Sequence, residues 1–406
     1  MKERYRILVV MTHPVQYASP ILRLLARHER LELSVAYCSL QGAEPGVDPE
    51  FGVPVQWDVP LLDGYKWRAL PDRSPSPGPG RFFGLVNPAI WGLIRRGGFD
   101  VVAFLTGYNC MTFWIGLLAA KTAGIPVMMG TDAVEMTSAW GGWWWKRWLK
   151  PPLVRAIYRS ADVVTAPSSA TRDFLRSIGV SEGRIVLNHY TVDNEFFATH
   201  AASASRDQIR RSLGIPEDAI VTLYCAKLVA WKRPMDLLRA FARATSAGSS
   251  SAFLLLAGDG AERRALEQAA QELGISDRTR FLGFVNQSRL PGIYAASDFL
   301  VLPSQHEPWG LVVNEAMACG LPAVVSDRVG AHRDLIVSGA NGWVFPMGDI
   351  ESLASILRAL VCDPARIRQM GRAARERVKN WSYSENVAGF LRAVEKAIAA
   401  KSRHLE

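Results

Sequence analysis

Short apolar runs alternate with amphipathic stretches along most of this 406-residue chain. Residues 6–11 (RILVVM), 31–38 (LELSVAYC), 100–105 (DVVAFL), 125–130 (IPVMMG) and 162–167 (DVVTAP) are short and almost wholly apolar, which predicts buried strands. Helical periodicity over 15–27, 109–123, 150–160 and 169–178 separates them. Strands alternating with helices predict a parallel sheet covered on both faces. The rhythm breaks at 41–81, where Pro and Gly crowd into PDRSPSPGPG (71–80) and a long irregular loop is expected. It breaks again at 188–206, whose small polar residues predict a linker. Strands resume at 219–226, 251–258, 279–285, 298–303, 321–326 and 341–346, each followed by a helical segment. Only helices are expected after Asp363, with Trp381 in a break between two of them. The pattern predicts an α/β protein of two doubly wound, Rossmann-like domains, whose ligands bind at the carboxyl ends of the strands.

Composition narrows the partners. A 49% hydrophobic, 21% charged chain is globular and not disordered. Its net charge of +9 raises nucleic acid, a membrane surface or an anionic substrate. The charge is spread evenly, with no basic tail, stripe or known module, so nucleic acid is not expected as a partner. Five scattered cysteines without a CxxC pair argue against zinc or a disulfide framework and suit a reducing cytosol. The N-terminal pattern is not that of a signal peptide, and no uncharged apolar stretch reaches 18 residues. A cytoplasmic protein is expected.

The chemistry concentrates in two segments. In PSQHEPWGLVVNEAMACGLPAVVSD (303–327) a strand runs into a polar loop and a helix begins near Gly310. Glu307 lies in the loop, Glu315 lies within the helix, and the amides of Gly310, Leu311 and Val312 form an anion site at its positive end. Carboxylates do not attract phosphate, so the two must bind its hydroxyl-bearing flanks. A nucleotide-sugar fits, with its sugar at Glu307, diphosphate at the amides and ribose at Glu315; a surface Glu plus a solvated helix Glu is the plainer reading. The second segment, AKLVAWKRP (226–234), puts Lys227 and Lys232 at a strand's carboxyl end, where each can neutralise a diphosphate. No Asp-x-Asp pair is present to hold a divalent cation. GDGAER (258–263) lacks the third glycine of a dinucleotide fingerprint, and no P-loop motif occurs.

Together Glu307-x7-Glu315, Lys227, Lys232 and the AGDGAE turn at 257–262 resemble retaining glycosyltransferase family 4, with the GT-B fold. The resemblance is strong over 206–362; over the first domain it rests on the strand–helix rhythm and NHYTVDNEFF (188–197). It implies two domains facing across a cleft: an acceptor-side domain over 1–200, a donor domain over 206–380, and a helix over 381–404 packing back toward the first. It implies retention of configuration without a metal or other cofactor. Glu307 would bond the donor sugar, Glu315 the ribose, and Lys227 and Lys232 the diphosphate, with Lys227 standing where the family usually has Arg. Phe284, Val285 and Leu290 are nominated for the base, although Phe284 and Val285 also fit core packing. Family frequency favours UDP over GDP donors.

The first domain departs from the family pattern twice. Its first strand is followed by THPVQYASP (12–20) in place of a Gly-rich loop, which nominates His13 and Gln16 for donor phosphate or acceptor. Asp132, in GTDAVE (130–135), stands near where the family carries a catalytic-side His; it would orient the acceptor hydroxyl or bind the sugar, or else cap a helix. Glu307, Asp132 and Lys232 are thus the catalytic candidates. Finally, AWGGWWWKRWLKPP (139–152) holds five tryptophans among basic residues. Trp143, Trp144, Trp145, Trp148, Lys146 and Arg147 predict contact with an anionic membrane, on the inner face of the cell membrane, and a glycan or lipid-linked acceptor; internal packing, an acceptor pocket or a dimer contact are the other readings. A nucleotide-sugar epimerase of the same fold, or a non-catalytic nucleotide-sugar-binding protein at the membrane, are the competing functions.

Overall fold

The computed structural model describes residues 4–43, 46–47, 54–78, 80–136, 144–246 and 251–403. The chain divides into two units, one of residues 1–44, 60–190 and 383–406, the other of 45–59 and 191–382. The boundary falls at 190/191 rather than near 200, and residues 45–59, from the first half of the sequence, group with the second unit.

In the first unit β1 (Tyr5–Met11) pairs in parallel with β2 (Leu31–Tyr37). Next in sequence, β3 (Gly46–Val47) and β4 (Pro54–Val55), which group with the second unit, pair with each other, antiparallel. The remaining first-unit strands are β5 (Lys66–Ala69), β6 (Val101–Phe104), β7 (Val127–Gly130), β8 (Val163–Ala166) and β9 (Ile185–Leu187). The sheet order is β5-β2-β1-β6-β7-β8-β9. Its central strands are buried on both faces, which is why they read as unbroken apolar runs. On one face Leu8, Val10, Val102 and Phe104 pack with Phe113 and Ile157. On the other, Ile7, Val9, Val101 and Ala103 pack with Phe390, Ala393, Val394 and Ala397 of the last helix, Tyr383–Arg403. The C-terminal helix is therefore part of the first unit's core.

The second unit repeats the plan with β10 (Ile220–Cys225), β11 (Ala252–Ala257), β12 (Thr279–Gly283), β13 (Phe299–Leu302), β14 (Ala323–Ser326) and β15 (Gly342–Phe345). Its order is β12-β11-β10-β13-β14-β15, all parallel. Both sheets reverse direction of growth beside their first strand, at β1/β6 and at β10/β13. Successive loops diverge there and leave a crevice at the carboxyl ends.

Three expectations need correction. The irregular region 41–81 contains β5, whose four residues are all exposed at the sheet edge, so no apolar alternation marks it. The expected linker contains helix Asn194–Ser203, capped by the Asp193 carboxylate, which accepts from the Phe196 amide at 2.9 Å, and anchored by fully buried Phe197. Helix Trp144–Ser160 begins six residues before the expected 150 and runs through Pro151 and Pro152, whose missing N–H groups hide its start from a pattern search. Among the described residues no helix is long and apolar enough to cross a membrane.

Candidate active site

Neighbouring strands β10 and β13 deliver the charged groups of the second unit. Lys227 follows β10 directly, and Lys232 ends a 3-10 turn, Ala230–Lys232. Glu307 stands in the loop beyond β13, where Lys232 Nζ donates to its Oε2. The pair is largely sheltered, with side chains 17% and 14% exposed, so its attraction is less screened than that of a surface ion pair. Separate duties on the donor were expected of these residues; the structure couples them. Backbone bonds fix both loops: the Gln305 amide donates to Trp231 O at 2.8 Å, and the Gly330 amide to Glu307 O at 2.8 Å. Arg233, in the left-handed region at φ +52°, then turns the chain sharply into helix Pro234–Ala244.

Gly310 closes the Glu307 loop at φ +93° and caps helix Leu311–Ala318. A Cβ there would be strained by that backbone and would lie 3.1 Å from both Leu302 and Val329, pressing on their side chains. The amides of Leu311 and Val312 open the helix, beside the Lys232–Glu307 pair. Glu315 is not the solvated helix residue its sequence context also allowed. It is buried, and Tyr294 Oη donates to its Oε2 at 2.7 Å. Burial pushes its pKa up to about 7, against the opposing effect of the tyrosine hydrogen bond.

The AGDGAE turn acts as a clamp. A Cβ on Gly258 would come 1.9 Å from Ala226 O, and one on Gly260 2.5 Å from Leu228 O. That close approach lets the Leu228 amide donate to Asp259 O at 2.8 Å, the Glu262 amide to Leu228 O at 2.9 Å and the Gly258 amide to Gly283 O at 2.8 Å. The lysine loop and the segment after β12 are thereby held to one frame. In that segment Phe284 and Val285 are half-buried and outside the buried core, and Leu290 opens helix Leu290–Ala296. An unforeseen contact lies here. The Trp57 ring meets Phe284 edge to face at 5.7 Å, Asn286 Nδ2 donates to Gln56 O at 2.6 Å, and Ser288 Oγ donates to Asp58. Residues 56–58 sit in an aperiodic stretch, and nothing in their spacing announces this role.

In the first unit His13 and Gln16 occupy the loop after β1, which is tied to the loop after β6 by the Thr12–Thr106 hydroxyl pair at 3.0 Å. Asp132 follows β7. The next described helix begins only at Trp144, so Asp132 is no helix cap. Instead Tyr190 Oη donates to its Oδ2 at 3.4 Å. Burial, and then the Asp132 charge, push the Tyr17 and Tyr190 phenols above their ordinary range, and burial pushes Tyr158 up to about 12. These phenols therefore remain protonated donors at neutral pH. All four residues border a cavity of about 870 Å³ over the carboxyl ends of the central strands. Trp143 lies outside the described residues, and for Trp144, Trp145, Lys146, Arg147 and Trp148 only the helical backbone is described.

Residues 4–191 match the family described as glycosyl transferase 4-like domain, and residues 205–377 match glycosyl transferases group 1. The chain belongs to glycosyltransferase family 4. Its two Rossmann-like units are those of the GT-B fold. D-inositol 3-phosphate glycosyltransferase 1 of Catenulispora acidiphila is 29% identical to this glycosyltransferase over 357 residues, 84% of this chain and 83% of that protein. Anabaena HepE, solved with UDP and glucose, superposes with a TM-score of 0.70 at 18% identity, covering 96% of this chain and 100% of that one. Sucrose-phosphate synthase of Thermosynechococcus elongatus gives a TM-score of 0.74 at 22% identity, covering 98% and 100%.

Proposed function

We propose that this glycosyltransferase moves a hexosyl group from a UDP-sugar to an acceptor hydroxyl, with retention and without a bound metal ion. The carrying observation is the Lys232–Glu307 pair beside the N-terminus of helix Leu311–Ala318, at the carboxyl ends of β13 and β10. An ammonium has several N–H donors, so Lys232 keeps Glu307 while gripping the diphosphate with Lys227. Glu307 accepts from the sugar hydroxyls. Glu315 accepts from the ribose at one oxygen while Tyr294 serves the other. Phe284, Val285 and Leu290 border the base. Of the structural neighbours, HepE was solved with UDP and glucose, which supports a uridine nucleotide.

The reaction makes a bond from the acceptor oxygen to the anomeric carbon and breaks the bond from that carbon to the diphosphate oxygen, on one face of the sugar. The acceptor proton passes to the departing diphosphate oxygen. Lys227, Lys232 and the helix amides stabilise the charge developing there, the role a divalent cation has elsewhere. Asp132 orients the acceptor hydroxyl, with His13 and Gln16 in the loop after β1. The basic, tryptophan-rich stretch 139–152 supports peripheral contact with the anionic inner face of the cell membrane.

A thermal-shift panel of nucleotide-sugars, followed by NMR of the product's anomeric centre, tests the reading. Stabilisation by UDP-sugars and a retained configuration are expected, with rates insensitive to chelator. Full transfer by Lys232→Ala, or donor turnover with no acceptor added, as in an epimerase, overturns it. Failure to bind anionic vesicles at low salt removes the membrane contact.

A further inference from the structure

We propose that the first-unit cavity binds the hydrocarbon part of an amphiphilic acceptor, an uncharged hydroxyl or sugar head carrying a long alkyl or prenyl chain. The inference rests on the glycosyl-transfer reading for the role of the head and on the cavity itself for the chain.

At about 870 Å³ the cavity lies near the top of the ~300–1,000 Å³ that holds a drug-sized ligand, far more than one sugar ring needs. Among the described residues lining it only Asp132 and Lys150 carry charge. Lys150 is a single cation, and burial lowers its pKa. A phosphorylated polyol, the acceptor that the name of the Catenulispora relative implies for that protein, calls for clustered Arg or Lys, and the described residues of the lining form no such cluster. Much of the wall is instead apolar or aromatic, including Met11, Ile21, Trp114 and Val154. Asp132 accepts from Tyr190 and its charge acts on Tyr17, a polar cluster that suits a hydroxyl head.

The rim carries the second observation. Leu105 and Leu153 both line the cavity while 40% and 49% exposed, and Phe83, beside the lining residue Phe82, is 58% exposed. One exposed leucine means little; several around one opening make an apolar entrance. Lys150, Leu153, Val154 and Tyr158 fall on one face of helix Trp144–Ser160, so the helix that walls the cavity continues directly from the tryptophan-rich stretch. A chain drawn from a lipid surface would enter along it.

The test is binding of methyl, butyl, octyl and dodecyl β-glucosides below their micellar concentrations, by calorimetry on the full chain, with a geranyl and a phenyl glucoside alongside and D-inositol 3-phosphate as the anionic control. Affinity is expected to rise at least a hundredfold from methyl to dodecyl; the geranyl and phenyl arms tell isoprenoid and aromatic chains from linear ones. Leu153→Gln and Leu105→Gln, at exposed positions that leave the fold intact, are expected to cost at least tenfold for dodecyl glucoside and nothing for methyl glucoside. Equal affinity for methyl and dodecyl forms, or tighter binding of the inositol phosphate, overturns the proposal. Chain-dependent binding without transfer to any acceptor retains the cavity assignment and rejects the transferase reading instead; transfer to a chainless acceptor with undiminished KM does the reverse.

Discussion

The two units share one sheet plan and differ in what they hang on it. In the second, the crevice at β10/β13 gathers charge: two lysines, a paired glutamate, a helix N-terminus and a buried glutamate within a few loops. In the first, the crevice at β1/β6 opens on a largely apolar cavity with Asp132 among tyrosines. On the proposed function, the diphosphate met by the second unit makes the same demand whatever sugar it carries, so the groups proposed to meet it are fixed in kind and spacing. The acceptor proposed for the first unit makes no such uniform demand, and an apolar wall can be built from many residue combinations. The same scaffold therefore presents one side that is written in motifs and another that is written in shape.

The sharpest way to break the comparison is Lys232→Ala, expected to lower kcat by roughly 10²–10³-fold, the usual cost of one electrostatic donor at a charged transition state. Circular dichroism should be unchanged, and Lys232→Arg should recover part of the rate. A fall in activity matched by a loss of folded protein would make the pair merely structural. Next is Gly258→Ala, whose new methyl meets the Ala226 carbonyl. Destabilisation of about 2–4 kcal/mol, read as a lowered Tm, is expected together with a raised donor KM, because the clamp positions the lysine loop.

Glu315 gives the second unit a pH signature. Its pKa is raised from 4.5 to about 7, so the folded state holds the proton more tightly than the unfolded one. Stability is fully present below about pH 4.5 and is lost as pH rises through 7, by at most about 3 kcal/mol at ~1.4 kcal/mol per unit. Donor binding should run the other way: if the ionised form accepts from the ribose as proposed, donor KM falls as pH rises through 7. Glu315→Gln should flatten both profiles, measured by urea unfolding and by initial rates. The smallest effect is Trp57→Ala, which removes the ring facing Phe284 and is expected to raise donor KM by a few-fold, with acceptor KM unchanged.

Legibility followed the same division. Every central strand was visible because burial on both faces demands an unbroken apolar run. The exposed edge strand β5 and the short β9 carry no such demand and were missed. The helix at 194–203 was missed among small residues although Asp193 marks its start. At the site, Glu307, Glu315, Lys227 and Lys232 stood out by type and spacing, but the bond between Lys232 and Glu307 did not, because it joins residues 75 positions apart. Asp132 was found, whereas its ring of tyrosines was not. Trp57 was invisible, since only the grouping of residues 45–59 with the second unit brings it to Phe284.

By itself, then, the sequence determined the class of fold, the doubling of the sheet and the identity of the charged residues, because hydrophobic period and residue chemistry are local properties. The tertiary structure alone decided that Glu315 is buried with a raised pKa, that the glycine turn clamps the lysine loop, and that the first unit encloses a large apolar cavity. Those depend on which distant segments exclude water from one another, and exclusion of water has no signature at a single position along the chain.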